Sequence, residues 1–148
     1  MTQIPENDPE RRAITMTRTA TGQFIATSQA TGASIKYGRG EGLLTPVELL
    51  LAALSGCTGI DLDLPASRRS EPDVFTAEVE ARNTKVDGRN TLKDISITWD
   101  LQYPDTEAGR KVTEMLPQLM KQSEDRLCTV SITVSTGTPV THHLKQDD

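Results

Sequence analysis

The chain has 148 residues and a mass of 16.2 kDa, enough for one domain with a real core but not for two. Its net charge of −5 and pI of about 5.1 leave no basic face for nucleic acid or an anionic membrane. The longest wholly apolar run, Leu49 to Leu54, is far too short to span a bilayer.

Residues 1–13, with "MTQIPENDPERR" at their head, lack the apolar stretch of a secretory signal and read as a disordered polar tail. A single domain is then expected over residues 14–145. It opens with three strand-like runs, "ITMTR", "GQFIATS" and "ASIKYG". The intervening "TATG" and "QATG" end in glycines that permit the positive φ of tight hairpins, so an antiparallel meander follows. The linker "GRGEGLL" leads to "TPVELLLAALSGCTGIDL", where a helix is announced by its own start signal. Thr45 suits the N-cap, Pro46 the first helical position, and Glu48 stands three residues after the cap. Leu49 to Leu54 cover most of the helix circumference, which calls for burial on nearly all sides and suggests cover from a second subunit.

Beyond Pro65 and the charged loop "ASRRSEPD", alternation returns. Phe75, Ala77, Val79 and Ala81 share one strand face. Ile95, Ile97, Trp99, Leu101 and Tyr103 share another across the Asp87-Gly88 turn. From about Thr106 to Leu127 the period becomes helical, through Val112, Met115, Leu116, Leu119, Met120 and Leu127, with Pro117 expected to kink or split the helix. "CTVSITVS" alternates Val130, Ile132 and Val134 as a final strand, and "VTHHL" offers one more. The fold class expected is α+β, antiparallel sheets packed on two helices.

Two cysteines without an export signal point to a reducing, cytoplasmic compartment, where paired thiols are redox-active or structural rather than a permanent staple. Cys57 lies mid-helix between Gly56 and Gly59, each of which costs roughly 1 kcal/mol against alanine in a helix. Such a cost implies close approach of a backbone or ligand; the plainer alternative is a small core cysteine whose glycines help elements pack. Cys128 follows 128 − 57 = 71 residues later. That is not metal-ligand spacing, and His142 and His143, adjacent in a strand, would face opposite ways.

"TPVELLLAALSGC" followed by "SEDRLCTVS" resembles the two signature blocks of the OsmC/Ohr family of osmotically inducible and organic hydroperoxide resistance proteins, closest to the YhfA-like OsmC branch. The resemblance runs from about Ile14 onward. It implies an intertwined homodimer and a thiol-dependent peroxidase that reduces organic hydroperoxides or hydrogen peroxide. Cys57 would be the peroxidatic thiol and Cys128 the resolving thiol at the start of the last strand. An external dithiol would serve as reductant, and no cofactor or metal is expected. In the family a glutamate after the helix-starting proline orients an arginine onto the thiolate. That position is Val47 here, and Glu48, one residue on, is rotated by about 100°. Arg39 and Arg18 are the candidate cations. The alternative is a non-catalytic homodimeric stress protein that binds a small apolar or thiol-reactive ligand at its dimer interface.

Overall fold

The computed structural model describes residues 3–146, which fall into two compact units that divide after Leu50, inside the first helix. In the first unit, β1 (Ile14–Ala20), β2 (Gln23–Ser28) and β3 (Ser34–Gly38) form an antiparallel meander in the order β1-β2-β3. Ala20 faces Gln23 across the Thr21-Gly22 turn, where Gly22 has φ +70°, so the turn glycine has the role its position suggests. None of the side chains on these strands is fully buried. A small sheet with no buried face is not stable by itself in water.

Helix α1 (Pro46–Ser67) starts at the expected capping box. The Thr45 N–H donates to Glu48 Oε1 at 3.0 Å, and the Glu48 N–H donates to Thr45 Oγ1 at 3.2 Å. The helix continues past Pro65 to Ser67.

In the second unit, β4 (Val74–Val86) and β5 (Arg89–Gln102) form a long antiparallel hairpin. Phe75 pairs with Leu101, Ala77 with Trp99, and Val79 with Ile97, so the apolar residues line one face as their alternation requires. Past Glu80 the register slips, because Ala81 faces both Asp94 and Ile95, and Asp94 takes a φ of +53°. Gly59 of α1 lies against the Trp99 ring, where a Cβ would come within 3.6 Å. Leu54, Leu62 and Ala66 of α1 and, further along the chain, Val112 are buried, and with Cys128 they are the buried apolar side chains among the described residues. Burying Leu62 completely contributes roughly 2 kcal/mol.

The C-terminal part differs from the sequence expectation. Helix α2 (Glu107–Gln122) is capped by Thr106, whose Oγ1 accepts from the Gly109 N–H at 3.0 Å, and it runs through Pro117 without splitting. A π-helical turn (Ser123–Leu127) follows, and then a third helix, α3 (Thr129–Thr136), where a strand was expected. The β-branched run "TVSITVST" has strand propensity, but both of its ends carry helix caps. Cys128 Sγ accepts from the Ser131 N–H at 3.4 Å, and Gly137 closes the helix in the left-handed conformation. The fold therefore has three helices rather than two. "VTHHL" has no regular structure and adds no strand, so His142 and His143 lie in exposed, irregular chain. No helix among the described residues is long and apolar enough to cross a membrane.

Candidate active site

Cys57 occupies the middle of α1, half-buried, and Cys128 is fully buried between the π-helical turn and α3. Neither is in a disulfide. Although 70 positions separate them, the Cys128 thiol is near enough to act on Cys57 and push its pKa up. Cys128 does not begin a strand; it is the N-cap of α3, and this places the first-turn amides of that helix around both thiols. The Val130 N–H lowers the Cys57 pKa, and the Ser131 N–H donates to Cys128 Sγ at 3.4 Å. Amides at a helix N-terminus favour negative charge, so this is the one feature here that supports a thiolate.

The other influences on Cys57 oppose ionisation. Burial is the largest and pushes the thiol up; the Cys128 thiol and the Asp61 carboxylate push in the same direction. Asp61 is four residues after Cys57 and so lies on the same side of α1. Its Oδ2 accepts from Ser123 Oγ at 2.8 Å, and Ser123 is fully buried. The Ser123 carbonyl in turn accepts from the Cys128 N–H at 2.9 Å.

Sequence reasoning did not single out Asp61 and Ser123. The i, i+4 spacing from Cys57 was available as a signal for Asp61. Nothing local marks Ser123, whose role depends on a partner 62 residues away.

The remaining sequence candidates belong to the first unit. Glu48 is occupied by capping, and its carboxyl is held below the usual range by the Thr45 backbone N–H and then the Thr45 hydroxyl. Val47 is exposed. The Arg39 N–H donates to the Gly22 carbonyl at 2.8 Å, while the Arg39 carbonyl accepts from Gln23 Nε2 at 3.1 Å. Arg18 Nη2 donates to Thr21 Oγ1 at 3.1 Å. A cleft of about 660 Å³ in the same unit, lined in part by Arg11, Arg12 and Gln29, includes neither cysteine.

Comparison with known proteins agrees with this architecture. A curated protein of Mycobacterium bovis with no assigned function is 30% identical over 125 residues, covering 83% of this chain and 88% of its own. The crystal structure of an OsmC-like protein from Mycoplasma pneumoniae superposes with a TM-score of 0.66 at 18% identity, over 88% of this chain and 91% of that one. The organic hydroperoxide resistance protein OhrB of Bacillus subtilis has the fold more distantly, with a TM-score of 0.50 at 18% identity over 83% and 90% of the two chains. The family model for OsmC-like proteins matches residues 38–143, which takes in both cysteines and all three helices. The chain belongs to the OsmC-like protein family.

Proposed function

We propose that the protein is a cysteine-based peroxidase in which Cys57 attacks the hydroperoxide and Cys128 resolves the product. The influence of the Cys128 thiol on Cys57, two residues so far apart in sequence, supports this reading. In the first step the Cys57 sulfur attacks the distal oxygen of ROOH; the O–O bond breaks, Cys57 becomes a sulfenic acid, and ROH leaves. Cys128 then attacks that sulfur, forming the disulfide and releasing the hydroxyl with the thiol proton as water. An external dithiol reopens the bond by exchange. The B. subtilis relative's name concerns organic hydroperoxides, and the leucine-rich helix around Cys57 suits an alkyl rather than an ionic substrate. Two free thiols fit the reducing cytoplasm.

Thiol counting tests the proposal. Stoichiometric cumene hydroperoxide is expected to consume both thiols of the wild type within seconds, to leave a trappable sulfenic acid in Cys128→Ser, and to leave the thiol of Cys57→Ser intact. Wild-type thiols that outlast minutes of exposure would sink it. The raised Cys57 pKa and Val47 in the orienting position favour a second reading, a non-catalytic stress protein that binds a small apolar or thiol-reactive ligand. Thiols that survive peroxide but react with such an electrophile would support that reading.

The proposed working form is a homodimer. Ala53, Gly56, Ile60 and Leu64 recur along one exposed side of α1, and Ile60 and Leu64 are each 59% exposed. Nothing lies within 4 Å of a Cβ placed on Gly56. A second copy is the occupant this side suits, because an exposed apolar helix side is matched by the identical side of another chain. Light scattering is expected to give about twice 16.2 kDa for the wild type, and Ile60→Glu is expected to shift it towards the monomer. A monomeric wild type at micromolar concentration would remove the dimer.

A further inference from the structure

Asp61 is not needed for the two thiol steps as written, and as a carboxylate near a nucleophilic sulfur it works against them. Its geometry gives it another part. Cys57 and Asp61 project from the same side of α1, one turn apart. Asp61 Oδ2 takes the Ser123 hydroxyl proton at 2.8 Å, Ser123 is fully buried, and the Ser123 carbonyl takes the Cys128 N–H at 2.9 Å. A continuous path thus runs from Asp61 through Ser123 to the Cys128 backbone, and the Cys128 thiol in turn acts on Cys57, one turn of α1 away from Asp61. Ser123 also opens the π-helical turn, a departure from regular helix that lacks the intrinsic stability of the α-helices on either side.

We propose that Asp61 is a positioning residue which, by gripping Ser123, holds Cys128 within disulfide reach of Cys57 and so governs resolution rather than the first oxidation. This rests on the cysteine-pair reading for its physiological meaning but not for its test. A hydrogen bond to an ionised acceptor is shorter and roughly twice as strong as a neutral one, which makes a carboxylate the better tether despite its effect on the nearby thiol. The groups acting on Cys57 are the Cys128 thiol, from the junction of the π-helical turn with α3, the Val130 N–H of α3 itself, and Asp61 on its own helix. Asp61 is the one that carries a formal charge.

The test measures the equilibrium constant for disulfide formation against glutathione, in which oxidised glutathione takes up the two cysteine thiols' electrons and two reduced glutathiones are released. This readout needs no peroxide and no turnover, so it stands even where the peroxidase reading fails. The constant divided by that for a free thiol pair gives the effective concentration of one cysteine at the other. Asp61→Ala is expected to lower it about tenfold or more, since orientation accounts for most of such concentrations. Ser123→Ala, which removes the donor from the other side, is expected to match it. Asp61→Asn, whose side-chain oxygen still accepts from Ser123, is expected to stay within about threefold of the wild type. Circular dichroism of the reduced proteins confirms that each is folded. In peroxide-treated samples the same two alanine variants are expected to accumulate sulfenic acid. A wild-type constant in both folded alanine variants overturns the proposal. So does an Asp61→Asn variant as weak as Asp61→Ala, because charge rather than the hydrogen bond would then be responsible.

Discussion

Replacing Gly109 with alanine is expected to destabilise the protein by roughly 2–3 kcal/mol and to lower its melting temperature by about 10 °C. Gly109 is buried in the first turn of α2, and a Cβ there would run into the Pro104 carbonyl. That carbonyl cannot turn aside. It accepts from the Thr106 N–H at 2.8 Å, and Thr106 is the residue whose hydroxyl caps the helix through the Gly109 N–H. Relieving the clash therefore loosens the loop, the cap and the start of α2 together. Alanine's better helix propensity returns at most about 1 kcal/mol, too little to compensate. A melting temperature within 2 °C of the wild type would show that the loop yields more easily than its hydrogen bonds imply.

The second large effect concerns the acidity of Cys57. Alkylation of Cys57 in Cys128→Ser, which isolates the thiol, is expected to rise close to tenfold per pH unit from pH 7 to beyond 8.5, where a free thiol levels off. Burial and the Asp61 carboxylate persist in that variant, and both disfavour the thiolate. The sign for stability follows from the raised folded-state pKa. The protonated thiol is retained more firmly in the folded chain, so its contribution is intact below about 8.5, the unfolded value, and fades as the pH climbs through the folded pKa. Wild-type stability should accordingly decline on the alkaline side more steeply than that of Cys57→Ser. An alkylation profile that levels off below pH 8 would instead show that a cation reaches the sulfur, and Arg39→Ala should then push the plateau back up.

The hairpins and the start of α1 were legible because their determinants are local. The pairing of Phe75, Ala77 and Val79 with Leu101, Trp99 and Ile97 follows from alternation and a two-residue Asp-Gly turn, and the Thr45–Glu48 box is written within four residues. Helix α3 was not legible in the same way. Thr129 to Thr136 have the composition and alternation of a strand, while their helical state depends on a cysteine sulfur acting as N-cap, an uncommon use of that side chain. Gly137 was the available warning, since it sits where a helix C-terminus wants a left-handed residue. For the site, the cysteine pair was legible only as a resemblance, because no spacing rule brings residue 128 to residue 57. Asp61 was overlooked for a related reason: on a helix it reads as a solvated charge until Ser123, from a distant turn, is seen beside it.

The contact between Gly59 and Trp99 gives the molecule an optical handle. Trp99 is the only tryptophan in the chain, and its indole rests on α1 two residues past Cys57, edge-on to Phe75 at 5.9 Å. Rotation or sliding of that helix changes the polarity around the ring. Intrinsic emission can then follow the proposed joining of the sulfurs in real time, without a dye and without disturbing either thiol.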